Sequence, residues 1–293
     1  MVGNHLIRNV LSSLEKFFAN YAMKIAQSMR KIAPLYALQA GWVRYKNRAG
    51  MYTAYGVVSL ILSGMVSGVI TGASSVIGSV PMVQIAITSV VVGVVSAMLA
   101  MGYAHFAGKD HRGEEVEFGD FFLGFKQNGK KLAAVATVVA LVTQLSALIV
   151  PQELRSVQQQ SQSGDPEELM MFFEDMYGVI LENATSIYAY LSLIVVFSIV
   201  VVFANYRASL AGDDPVDAFR WSVQNATPNF LRIIALNLLI VLISVPAIIL
   251  TLGLGLLVII PWASLCMYDA YTQLLPEELQ AEVLEEEFAS RDN

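Results

Sequence analysis

The chain of 293 residues is poor in cysteine, histidine and charge. Its one cysteine, Cys266, lies inside an apolar run, which excludes a disulfide framework and a thiol metal cluster. Three histidines, His5, His105 and His111, leave little material for a histidine metal site. Asp, Glu, Lys and Arg make up 14% of the residues, against about 25% in a soluble domain. A net charge of −6 gives no nucleic-acid footprint. The first 33 residues read as an amphipathic helix, without the basic stretch and apolar core of a signal peptide. A nucleophile elbow, a phosphate loop and a His-Glu-x-x-His pattern are all missing. The expectation is therefore a protein that is not an enzyme and holds no cofactor or metal.

What the chain does have is apolar length. Apolar residues make up 56% of it, and the mean hydropathy is +0.58. Runs of about 20 apolar residues recur, each long enough to cross a bilayer as a helix. The predicted fold class is all-α, a polytopic transmembrane helical bundle with six spans: Met51–Ser75, Met82–Ala107, Lys131–Val150, Ser186–Tyr206, Phe230–Leu250 and Leu256–Leu274. A basic, amphipathic segment (residues 1–50) precedes this membrane domain (51–275), and an acidic tail (276–293) follows it.

The charges orient the spans. Seventeen of the eighteen Lys and Arg residues fall on one side of this topology, and only Arg155 falls on the other. By the positive-inside rule both termini are cytoplasmic. Trp42, Tyr45, Tyr52, Tyr55, Tyr206, Tyr268 and Tyr271 mark the inner ends of the spans, where rings with one wet face sit best.

Residues Asn4–Ala33 place Leu6, Val10, Leu14, Phe17, Tyr21 and Ile25 on one helical face. Arg8, Lys16, Lys24, Arg30 and Lys31 are the cations of this helix, which can lie in the inner interface beside anionic lipid. The alternative is packing against the protein's own inner helices, a second subunit or a separate partner. The segment 151–177 on the outer side is Gln/Ser-rich, then acidic, with Asp165, Pro166 and Glu168 forming a helix start.

An offset of 97 residues aligns Glu117–Phe122 with Asp214–Phe219, Gln127-Asn128 with Gln224-Asn225, and Phe106-Ala107 with Phe203-Ala204. Leu141 and Leu145 then meet Leu238 and Leu242. This predicts a parallel internal repeat, units 82–150 and 179–250, each an entering span, a capped inner-surface helix and a leaving span.

With Asp120–Phe125 before a span, Asp214–Ser222, Asn229-Phe230, Gly253–Gly255, Pro261 and Tyr271, the chain resembles six-helix prokaryotic integral membrane proteins grouped as domains of unknown function. The membrane domain attached to some glycerophosphodiester phosphodiesterases is similar. Over residues 50–275 the resemblance implies a helical bundle in the cytoplasmic (inner) membrane of a prokaryote. It carries over no catalytic residues.

Few side chains offer chemistry. His105, Asp110, His111, Glu114 and Glu115 could approach a cation, but Lys109 and Arg112 stand among them and suggest ordinary solvated charge. No ionisable residue sits near a span centre, which weighs against coupled transport. Gln144 and Asn237 are the deepest polar residues, candidates for helix packing or for a solute path with Gly253 and Gly255. The small-residue ladder Gly64, Gly68 and Gly72 predicts close helix packing, against Ser89, Gly93 and Ala97 or against a second subunit. The sequence reading is a non-enzymatic membrane protein that organises lipid, a partner protein or its own homo-oligomer. The alternative is an uncoupled channel or transporter for a lipid or small solute.

Overall fold

The computed structural model describes residues 31–77, 81–146 and 176–276. Apart from residues 31–33 the predicted helix Asn4–Ala33 lies outside them, as do the tail from residue 277 and most of the acidic segment 151–177. Among the described residues all regular structure is helical. The main elements are α1 (Pro34–Asn47), α2 (Ala49–Ile77), α3 (Pro81–His111), α4 (Gly129–Ser146), α5 (Ala184–Val201), α6 (Pro215–Ala226), α7 (Phe230–Leu250) and α8 (Leu256–Thr272).

Among the described residues four helical stretches are long and apolar enough to cross a membrane: Ala49–Ile70, Ile87–His111, Ala184–Ala211 and Pro215–Leu250. They overlap the predicted first and second spans and contain the fourth and fifth. This is a helical membrane protein. The predicted third span falls on α4, which is described as far as Ser146, and the sixth on α8, of 17 residues. At 1.5 Å per residue α8 is about 26 Å long, a little under the roughly 30 Å of a hydrocarbon core.

The described chain divides into two compact units. In the first, built from Met1–Val57, Gly102–Leu123 and Arg220–Asn293, α1 lies along α8. The approach is close because position 41 is glycine: a Cβ there would stand 2.7 Å from Cys266 Sγ and 2.8 Å from its backbone nitrogen. Proline at the first position of α1 suits a helix start, where an N–H has no partner anyway. Distant side chains satisfy the groups that remain. Ile32 N–H donates to Asn229 Oδ1 (3.0 Å), Ala33 N–H to Gln273 Oε1 (2.7 Å), and Arg232 to the Ile32 carbonyl (3.2 Å).

An aromatic core fills the same unit. Phe121 stacks on Tyr55 at 4.3 Å and on Phe106 at 4.1 Å, with Tyr52 edge-on at 5.7 Å. All four rings are fully buried. The segment carrying Phe121 is a 3-10 turn, Phe118–Phe122, followed by one α-turn, Leu123–Lys126. The sequence pattern suggested a longer amphipathic helix here. Glu117 and Asp120 instead close a tight capping box, and Asn128 takes a left-handed backbone (φ 55°) that ends helical geometry before α4.

In the second unit, Val58–Met101 and Gly124–Phe219, the packing is of small residues. Val135, Ala204, Ala208 and Ala218 form a buried cluster flanked by Val139 and Phe219. After α5 the helix breaks near Phe203 and resumes as a π-helical turn, Arg207–Ala211, which Gly212 ends at φ +69°. Asn128 donates to the Ser209 carbonyl (3.0 Å) and Lys131 to that of Gly212 (2.6 Å), tying the start of α4 to this turn.

Some positions paired by the 97-residue offset share their burial, while others do not: Asn128 is exposed and Asn225 buried. Phe106, Ala107, Phe203 and Ala204 are fully buried, whereas Leu141, Leu145, Leu238 and Leu242 are exposed. Their connecting helices differ: a 3-10 turn in the first copy, and twelve residues of α-helix, α6, in the second.

Candidate functional site

Polar chemistry in the first unit gathers where α1 meets α8. Arg44 Nη2 lies 2.9 Å from Asp269 Oδ1, with side-chain exposures of 15% and 5%. The guanidinium also sits 5.6 Å from the Tyr268 ring centre, and one face of an aromatic ring is attractive to a cation. Burial acts to lower the Arg44 pKa, but the Asp269 carboxylate, helped by Tyr268, outweighs it and leaves the pKa above its ordinary value. Arg44 is held as a cation. Around this pair, Arg44 Nε, Asp269 Oδ2, Tyr52 Oη and Gln273 Nε2 are buried with no hydrogen-bond partner among the described residues.

The opposite side of α1 is bare. Leu35, Tyr36, Trp42 and Val43 are exposed, and Lys46 lies 5.9 Å from the Trp42 ring centre. An exposed aromatic with a cation beside it is the pattern of the headgroup layer.

Several charges at the end of α3 and just after it are paired. Arg48 bonds Asp110 at 3.2 Å, Arg112 pairs with Glu114, and Lys109 holds Asp120 at 2.9 Å. No three His, Cys, Asp or Glu side chains converge as a metal-binding group among the described residues. At Asp120 burial acts to raise the pKa. The Glu117 backbone N–H and the Lys109 ammonium overcome it and hold the carboxyl below the usual carboxylate range.

Gln144 lines a cavity of about 300 Å³ in the second unit, between α3 and α4 and beside Asn205. Asn237 does not join it. Its Nδ2 donates to the Ile233 carbonyl one turn back (2.8 Å), an ordinary helix-satisfied amide. Gly253 and Gly255 belong to the turn between α7 and α8. Gly253 takes φ +92° and donates its N–H to the Ile248 carbonyl (2.8 Å), while Gly255 N–H bonds Thr251 Oγ1 (2.7 Å). Leu250, Leu252 and Leu254 at this turn are exposed, Leu252 at 94%.

A Cβ on Gly64, Gly68 or Gly72 would meet nothing within 4 Å among the described residues. Gly93 faces α4 instead, where its Cβ would stand 3.2 Å from that of Ala140. Of the basic residues placed on the N-terminal helix, Lys31 is described, while Arg8, Lys16, Lys24 and Arg30 lie outside the described residues.

Two features escaped the sequence. The Arg44–Asp269 pair spans 225 positions, and only the cost of a lone carboxylate in an apolar run hinted that Asp269 had a partner. Asn205 stood unremarked at the end of the fourth predicted span.

Compared with family models, with curated proteins and with solved structures, the chain finds no match.

Proposed function

We propose that this is a non-enzymatic, six-span protein of the prokaryotic cytoplasmic membrane, with both termini inside, that organises the anionic lipid around it. The observation that carries this reading is α1. One side is fastened to α8 through Arg44 and Asp269, while Leu35, Tyr36, Trp42 and Val43 are left uncovered next to Lys46. The sequence leading into α1 carries Arg8, Lys16, Lys24, Arg30 and Lys31, the cations that this reading assigns to the inner interface. There each cation near an anionic surface contributes about 1 kcal/mol. In support of a parallel repeat within the six spans, Phe106 and Phe203 are both buried, and Leu141 and Leu238 are both exposed.

The test is lipid composition around the full chain, extracted with its boundary lipid from mixed phosphatidylcholine–phosphatidylglycerol membranes. The native protein carries phosphatidylglycerol above the bulk fraction, and neutralising the five cations to Gln removes the excess. Equal lipid composition around both proteins refutes the reading.

A second reading, self-assembly, is favoured by the exposed Gly64, Gly68 and Gly72 face, since small residues four apart let a second helix approach closely. Uncoupled transport retains only the Gln144 cavity in its support, because the Asn237 amide is satisfied within its own helix.

A further inference from the structure

We propose that the cavity of the second unit binds an uncharged, largely apolar molecule carrying one hydroxyl group. The proposal is independent of the anionic-lipid reading, which concerns charged headgroups at the N-terminal segment.

Four observations carry it. First, a space of about 300 Å³ is at the lower end of small-molecule sites and would otherwise hold about ten water-sized volumes. Second, its wall on α3 is Ser89, Gly93 and Ala97, small residues four apart, and that on α4 includes Ala140 and Gln144. Third, none of the lining residues is ionisable, so a charged guest would be desolvated without a counter-ion. Fourth, Asn205 lines the cavity, and its Oδ1 is buried with no hydrogen-bond partner among the described residues. An unmet carboxamide oxygen is an acceptor waiting for a donor, which selects a hydroxyl over an ether or ester. The guest's apolar body fits the alanines and glycine.

The backbone beside Asn205 is also unusual. The π-helical turn Arg207–Ala211 starts two residues later. Such turns are rare, and they cluster at functional sites because the extra residue re-aims the side chains next to it.

The probe is a long-chain alcohol bearing a photoreactive diazirine, compared with its methyl ether, both added to the full-length protein in phosphatidylcholine nanodiscs. The alcohol should label peptides containing residues 136–144 and 205, and the ether should label them at least tenfold less. Asn205→Leu should lower alcohol labelling by a similar factor. Asn205→Ser, which keeps a hydroxyl acceptor, should retain part of it and covers the case that the leucine variant does not fold. Gly93→Leu should abolish labelling by filling the space.

Competition then separates two sources of the same chemistry. Blocking by unlabelled long-chain alcohol alone assigns a membrane amphiphile, and equal blocking by hexanol assigns a small neutral solute. Equal labelling by alcohol and ether, or labelling unchanged in both Asn205 variants, overturns the proposal.

Discussion

Arg44 and Asp269, 225 positions apart in the chain, meet at 2.9 Å with both side chains largely buried, and through them α1 is joined to α8. A buried pair of this kind is costly to break and inexpensive to replace. Removing one partner strands a charge, whereas apolar residues of similar volume restore packing. Asp269→Asn should therefore lower stability by about 3–5 kcal/mol, and Arg44→Met with Asp269→Leu should recover most of that loss. Unfolding of the detergent-solubilised protein by added SDS, followed by circular dichroism, measures both. A single variant as stable as the parent contradicts the assignment.

Phe121 between Tyr55 and Phe106 makes the turn 118–122 part of the core. Phe121→Ala removes a fully buried ring stacked on both faces and should cost about 3–5 kcal/mol in the same assay. Phe125, which is exposed, should tolerate the same change within about 0.5 kcal/mol.

The stabilisation from Asp120 has a definite pH window. Its folded carboxyl titrates below the ordinary value of about 3.9, because the Glu117 N–H and Lys109 outweigh the effect of burial. Above that value the carboxyl is ionised in both states and the full contribution is present. As pH falls from there toward the lower folded value, the unfolded chain takes up its proton first and the contribution is lost. From about pH 5 downward the native unfolding midpoint should drop more steeply than that of Asp120→Asn. Parallel curves would show that Asp120 adds nothing.

How much of this was legible beforehand follows from which forces are local. The span Phe230–Leu250 coincides with α7 because a run that is apolar over most of its length has only a helix available to it in hydrocarbon. Pro34, Gly212 and the tight turn at Gly253 follow from backbone chemistry that sequence displays directly. Gln144 and Asn237 look alike in sequence as deep polar residues, yet Gln144 lines a space and Asn237 bonds its own helix. The Gly64 ladder looked equivalent to Ser89-x-x-x-Gly93, yet only the latter meets a neighbouring helix among the described residues. Which face of an apolar helix finds a partner depends on tertiary packing, and a pattern of small residues does not encode it. The 3-10 turn at Phe118–Phe122 was hidden for a related reason: a stacking site for Phe121, made by rings far along the chain, overrides the helical pattern around it.

The turn between α7 and α8 carries three exposed leucines and no charge, so lipid surrounds it better than water does. A nitroxide attached through Leu252→Cys, with Cys266→Ala removing the native thiol, should be more accessible to dissolved oxygen than to a water-soluble nickel chelate. Preferential access to the nickel chelate would place the turn in water and contradict this.

The central claim, anionic lipid gathered where α1 is mounted, is reached most directly through Trp42. A chain carrying Trp221→Phe and Trp262→Phe leaves Trp42 as its one tryptophan. Its fluorescence is measured in vesicles with brominated phosphatidylglycerol in unbrominated phosphatidylcholine, then with the bromine on the phosphatidylcholine at equal mole fraction. The account predicts stronger quenching by the anionic lipid, and loss of that preference once Arg8, Lys16, Lys24, Arg30 and Lys31 become Gln. Equal quenching by the two lipids with all five cations in place would contradict it.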